Sequence, residues 1–241
     1  MEQIPTDIIL LTWNRIGLLK ETLAKIEERT KSPYNLIVVD NFSKDGTQEF
    51  LREETERGFI KTLILNDENL GQTRAFNKAF DHVKSEMFIV TQDDLWPPTL
   101  KFDWIETMKE LLKSNPSQGA VCMRTQRIPN VDFTNQPDLT PCRSACPAVF
   151  RIQYRDDVKK FPNKFGERMF HEAAHLQNLM YNIKKKCSFA TNVWAHHTGY
   201  DAENKGYGKF TEYYGYSAER NKVPSYKPFL PIDPKTNEPI R

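Results

Sequence analysis

The first hundred residues alternate short apolar runs with longer stretches in which apolar residues recur every three or four positions. DIILLTWN (Asp7 to Asn14) is a run of the first kind, and Gly17 to Thr30 then sets Leu18, Leu19, Leu23 and Ile26 among charges, the pattern of a helix with one buried stripe. NLIVVD (Asn35 to Asp40) predicts a strand apolar on both faces, and Thr47 to Arg57 a second, highly charged helix. Ile60 to Leu65 predicts a third strand, Gln72 to Val83 a helix with Ala75, Phe76, Ala79, Phe80 and Val83 on one side, and Glu86 to Thr91 a fourth strand. The strand-helix unit repeats three times. Strands buried on both faces and joined by helices imply a mostly parallel central sheet with right-handed crossovers, an α/β three-layer sandwich.

Each predicted strand ends in polar residues: Trp13-Asn14-Arg15, Asp40-Asn41-Phe42-Ser43, Asn66-Asp67-Glu68-Asn69 and Gln92-Asp93-Asp94. In a parallel sheet these carboxyl ends share one edge, where ligands of open α/β folds bind. Asp40, Asp93 and Asp94 are therefore expected to converge on one crevice. The stretch after the first strand, Trp13 to Gly17, holds neither G-x-G-x-x-G nor G-x-x-x-x-G-K, which excludes dinucleotide and P-loop phosphate binding. A diphosphate would then be neutralised by a divalent cation, and the adjacent carboxylates Asp93 and Asp94 suit Mg²⁺ or Mn²⁺. Arg74, at the start of the third helix, adds a guanidinium and a helix amino end that both favour anions.

Composition narrows the class without changing it. The 241 residues are 39 % apolar with 34 basic and 32 acidic side chains, which excludes disorder. No apolar run exceeds four residues, so no membrane span is expected. The first five residues lack a basic and then apolar leader, which points to a cytoplasmic protein, in a host's cytoplasm if the chain is viral. Four cysteines are too few for a disulfide framework. Residues 1–120 carry 15 basic and 20 acidic side chains, and the remainder 19 and 12, so only the second half attracts anionic partners.

Four segments in order carry a family resemblance. IILLTWNRIGLLKETL resembles the first strand and helix of the nucleotide-diphospho-sugar transferases of the GT-A fold, in particular glycosyltransferase family 2. LIVVDNFSKDGTQEFL is similar to that family's V-V-D-(N/D)-x-S-x-D-G-T stretch, NDENLGQTRAFNKAF to its N-x-G-x-x-x-A-x-N segment, and FIVTQDDLWPPTL to its metal-binding strand end. The resemblance implies one GT-A domain, with residues 1–117 as the nucleotide-sugar half and 118–241 as the acceptor half. It implies that Asp40 contacts the nucleobase, that Thr12 and Trp13 line the base and ribose pocket, and that Arg74 lies near the base or diphosphate. Asp93 would lie near the ribose and the metal, and Asp94 would hold Mn²⁺ or Mg²⁺. A further aspartate often stands two positions before the pair, where this chain has Thr91.

In the second half, FGERMFHEAAHLQNL resembles the family's acceptor segment, which implies Glu172 as the catalytic base with Glu167 as the alternative. The family's usual aspartate falls at Ala173 here. VWAHHTG resembles a late strand-end histidine that completes the metal site, His196 or His197. Two zinc readings compete. His171-Glu172-Ala173-Ala174-His175 is a literal H-E-x-x-H, but positions 178 and 181 are Asn and Tyr and no acid occurs between Glu172 and Asp201. Cys142, Cys146 and Cys187 with the His pair make a non-standard structural zinc set. The tail from Tyr207 to Pro239, crowded with Tyr and Pro, suits packing or stacking on a sugar or base.

The expected activity is metal-dependent, inverting transfer of a sugar from a nucleoside diphosphate donor, UDP-sugar favoured, to a hydroxyl on a saccharide or lipid-linked saccharide. The basic second half keeps open transfer to hydroxymethylated bases in DNA, as some phage-type glycosyltransferases perform it, with the salt dependence of phosphate contacts. A sugar-nucleotide-binding module without turnover and a zinc hydrolase are the readings from other classes.

Overall fold

The computed structural model describes residues 4–99, 103–126, 138–141, 151–157 and 184–197. The strands β1 (Thr6–Thr12), β2 (Tyr34–Asp40), β3 (Ile60–Leu65) and β4 (Met87–Gln92) are joined by the helices α1 (Ile16–Arg29), α2 (Thr47–Glu56) and α3 (Gly71–Phe80). They pair in parallel in the order β3-β2-β1-β4, with Ile9 of β1 opposite Ile37 on one side and Val90 on the other. The parallel, mostly helix-connected sheet expected from the apolar runs is present.

Alternation along each strand divides the core into two layers. Ile8, Leu10, Leu36, Val38 and Ile89 pack with Leu19, Leu23 and Ile26 of α1, Leu51 of α2, and Ile105, Met108 and Leu112 of α4 (Trp104–Lys113). The intervening residues Ile9, Ile37, Val39, Phe88 and Val90 face Ala75, Phe76 and Ala79 of α3. Each of these side chains leaves water almost completely, a contribution of roughly 1.5–3 kcal/mol apiece for Val, Leu, Ile and Phe. Such two-sided burial explains why the strands carry no polar alternation. One charge on Asp103 fastens α4 to this frame. Its carboxylate accepts the Ile105 and Glu106 amides as the helix cap, and also the amides of Lys31 and Ser32 and the Ser32 hydroxyl, from the turn between α1 and β2.

Beyond β4 the sheet becomes mixed. It continues β4-β8-β6-β9-β5 with β7 on the flank of β9, where β5 is Leu95–Trp96, β6 Gln118–Gln126, β7 Asp138–Pro141, β8 Arg151–Tyr154 and β9 Lys186–His197. β8 runs antiparallel to both its neighbours, and β6 and β9 are parallel. The chain builds β1, β2 and β3 in one direction and then places β4 on the opposite side of β1. The order therefore reverses between β1 and β4, and a crevice opens at the carboxyl ends of these two strands. Among the described residues no helix is long and apolar enough to cross a membrane.

Candidate functional site

The reversal point brings the end of β1 against the turn after β4. The Thr12 hydroxyl donates to Asp93 Oδ2 at 2.7 Å, the Trp13 backbone N–H also donates to Asp93, and the Thr22 hydroxyl of α1 donates to the Asp93 carbonyl at 2.8 Å. The Arg15 guanidinium bridges the acid pair, 2.7 Å from Asp94 Oδ2 and 3.3 Å from Asp93 Oδ1. Asp93 and Asp94 are each 4 % exposed. Burial is the strongest influence on Asp93 and pushes its carboxyl above the ordinary range; Arg15 pulls it down, the charge of Asp94 raises it, and the Thr12 and Trp13 hydrogen bonds oppose the rise.

Asp40 stands one strand away, at the end of β2 opposite Thr12 in the parallel register. It is fully buried. Its Oδ2 accepts the Ser43 amide and the Gln48 side-chain amide, both at 2.9 Å, while Oδ1 has no hydrogen-bond partner among the described residues. A buried carboxylate oxygen without a donor costs stability, and at this strand end it leaves an acceptor that a ligand N–H could satisfy. Beside it, Asn41 ties two loops together: its side-chain oxygen accepts the Asn66 side chain and the Leu70 amide, and its nitrogen donates to Asn69. Asn69 in turn accepts the amide of Gly71, the first residue of α3. Arg74 is exposed on the first turns of that helix.

The loops after β1 and β2 are sewn to each other. Asn14 donates its amide to the Ser43 hydroxyl and accepts the Lys44 amide on its side chain, and the Ile16 amide donates to Asp45. Asp45 also accepts the Thr47 amide and hydroxyl, so the Asp-Gly pair acts as turn chemistry while it anchors the start of α1. Asn14 and Phe42 hold left-handed backbone, at φ 51° and 72°.

The late histidines fall where a strand end was expected. β9 pairs with β5 so that His196 lies opposite Trp96 and His197 opposite Leu95, the two residues that follow Asp94. His196 is buried with its ring 4.7 Å from the Trp96 ring. Cys187 pairs with Ala120 and His196 with Gln126 in the parallel register of β6 and β9, six positions apart along β6 and so roughly 20 Å at about 3.3 Å per residue. One zinc ion cannot join them, which removes the cysteine-histidine zinc set. Glu167, Glu172, the H-E-x-x-H segment, Cys142 and Cys146 lie outside the described residues, as does the aromatic tail.

Two adjacent carboxylates fit a divalent cation of the Mg²⁺ or Mn²⁺ type, which keeps few protein ligands and completes its shell with phosphate oxygens and water. Their charge exceeds that of the single guanidinium between them, so the pair keeps a net attraction for positive charge. Among the described residues there is no cluster of three or more His, Cys, Asp or Glu side chains suited to an ion. Sequence reasoning did not single out Arg15 or Asn41. A basic residue three positions past a strand end, with an acid pair at the end of the neighbouring strand, is the signal that would have found Arg15.

The open α/β sheet is that of the GT-A class, and solved structures share this fold. The mannosyltransferase PcManGT from Pyrobaculum calidifontis, in complex with GDP-Man and Mn²⁺, matches with a TM-score of 0.62 at 19 % identity over 84 % of this chain and 59 % of that one. GalNAc-T7 with UDP, GalNAc and Mn²⁺ matches with a TM-score of 0.66 at 14 % identity, covering 92 % of this chain and 52 % of that one. The family model of glycosyl transferase family 2 matches residues 7–184, and the chain belongs to that family. Among curated relatives, the undecaprenyl-phosphate 4-deoxy-4-formamido-L-arabinose transferase of Edwardsiella ictaluri is 35 % identical over 82 residues, 34 % of this chain and 25 % of that protein. The chain spans between 25 % and 55 % of the length of the curated relatives it matches.

Proposed function

We propose that this chain transfers a sugar, with inversion, from a nucleoside diphosphate donor to an acceptor hydroxyl. The observation that carries the reading is the buried Oδ1 of Asp40, without a hydrogen-bond partner among the described residues and across β1 from the Asp93-Asp94 pair, a base acceptor and a cation site on one edge of a family 2 sheet. Asp40 accepts an N–H of the nucleobase, and Thr12 and Trp13 hold Asp93 in place beside the ribose. Asp94 and Asp93 would hold the cation, which would supply charge neutralisation at the departing diphosphate; no histidine completes a three-residue cluster with them among the described residues. Arg74 adds a positive group at the amino end of α3, where the helix also favours anions.

The acceptor reading rests on the resemblance. Glu172, with Glu167 as the alternative, takes the proton from the acceptor hydroxyl as the inverting bond forms. Mn²⁺ with UDP or GDP-Man in the structural neighbours supports a nucleotide-sugar donor and a divalent metal, with UDP-sugar favoured. The relative named for an undecaprenyl-phosphate transferase supports a lipid-linked acceptor.

The test is donor binding and turnover. Nucleoside diphosphates are titrated calorimetrically with and without Mn²⁺, and donor hydrolysis is followed in the native chain and in Asp94→Asn. The expected result is nucleotide binding that requires metal, with turnover lost in Asp94→Asn. Turnover that survives both chelation and Asp94→Asn overturns the reading.

A further inference from the structure

Arg15 occupies the place where a cation has to act. Its guanidinium is 2.7 Å from Asp94 Oδ2 and 3.3 Å from Asp93 Oδ1, with only 13 % of its side chain exposed. A divalent ion cannot share Asp94 Oδ2 at that distance without strong like-charge repulsion, so the guanidinium and the ion are alternatives at one oxygen.

The backbone that carries Arg15 is fixed on both sides. Asn14 is held by Ser43 and Lys44, Ile16 by Asp45, and the Arg15 carbonyl accepts the Leu19 amide of α1 at 2.9 Å. The loop cannot carry the charge away as a unit. Only the side chain can turn, through a long stem with several rotatable bonds, and the diphosphate that arrives with the ion offers it a new anionic partner. Asp93, in contrast, keeps the Thr12 hydroxyl and the Trp13 amide whether or not Arg15 leaves.

We propose that Arg15 is an internal stand-in for the divalent cation: it balances Asp93 and Asp94 in the ligand-free chain and passes to the diphosphate when metal and nucleotide bind together. This rests on the donor-site reading above. Metal alone has to displace Arg15 from both carboxylates, and nucleotide brings a diphosphate to receive it, so the two ligands reinforce each other through one side chain. By linkage, each ligand then raises the affinity of the other by the same factor. Arg15 acts here as a positioning residue whose signature lies in the coupling.

The experiment measures free Mn²⁺ by electron paramagnetic resonance in titrations of the full chain, alone and with saturating UDP or GDP, for the native protein, Arg15→Gln and Arg15→Lys. Thermal unfolding reports on folding. Couplings of this kind run from about 5-fold to 150-fold. The expected result is that Arg15→Gln binds Mn²⁺ alone about tenfold more tightly than the native chain, and that the gain in Mn²⁺ affinity on adding nucleotide shrinks by a similar factor. Arg15→Lys, which keeps the charge but loses the two-pronged grip, falls between, and it decides the matter should the glutamine variant not fold. Unchanged or weaker binding of Mn²⁺ alone in the folded variants, with nucleotide-dependent binding intact, overturns the role of Arg15 and leaves the donor site standing. Absence of nucleotide-dependent Mn²⁺ binding in the native chain overturns both.

Discussion

Asp40→Asn isolates the contribution of one oxygen atom to donor recognition. In the native chain the Ser43 amide and the Gln48 side chain both donate to Oδ2, so in the variant these two donors keep the amide oxygen on their side. The new NH₂ group then takes the position of Oδ1, the buried oxygen with no partner among the described residues. Uracil and guanine both present an imino N–H, and the substitution sets donor against donor while it removes the negative charge. Hydrogen bonds to charged groups contribute about 1.5–3 kcal/mol, so nucleotide affinity should fall roughly 10-fold to 150-fold. The fold should hardly notice, because both local hydrogen bonds survive and an unpaired carboxylate oxygen is removed. A change within about 1 kcal/mol moves the midpoint of a chain this size by about 2–4 °C. Calorimetric titration of UDP or GDP at saturating Mn²⁺, with thermal unfolding of the same samples, reads both quantities. Undiminished affinity in a folded Asp40→Asn protein would refute the reasoning, and so would a loss of affinity that only tracks unfolding.

Asp103→Ala removes a helix cap and the bonds to Lys31 and Ser32 together, and should cost about 3–4 kcal/mol by denaturant unfolding. A loss under about 1 kcal/mol would contradict the assigned role. Burial alone would raise the Asp103 carboxyl, but the Glu106 amide, the Ser32 hydroxyl and amide and the Lys31 amide outweigh it and hold it below its ordinary 3.8. The folded value is the depressed one, so this stabilisation is complete above the ordinary value and fades as the pH falls through the lower, folded value. Acid titration of stability should therefore be shallower in Asp103→Asn than in the native chain. Asn41→Ala should free the loop before α3, with faster amide exchange at Leu70 and Gly71 and a stability loss of about 2–3 kcal/mol. Unchanged protection at these two amides would show that the loop is held by other means.

The first half of the chain was legible because its elements are simple. Ile60 to Leu65 coincides with β3, and the other parallel strands and their helices agree within a few residues, because strands buried on both faces read as uninterrupted apolar runs. The second half hides its strands behind polar residues. β8 reads Arg-Ile-Gln-Tyr, yet Arg151 and Gln153 are buried in the middle of the sheet, where tertiary neighbours supply what the pattern cannot show. β5 is two residues long and has no periodicity to read. At the site, acids at strand ends announce themselves, whereas Arg15 meets Asp93 and Asp94, 78 and 79 positions later in the chain. Its meaning depends on β4 lying beside β1, which local spacing does not encode.

The mutual stitching of the loops after β1 and β2 also bears on how this pocket can vary. Asn14 and Phe42 hold left-handed backbone in two loops that Ser43, Lys44 and Asp45 tie together, so the shape of each is coupled to the other. Surface connections ordinarily accept insertions and deletions with little penalty. Here a single residue added to one connection would unseat the other, so this edge of the sheet changes its chemistry by exchanging side chains on a rim of constant length.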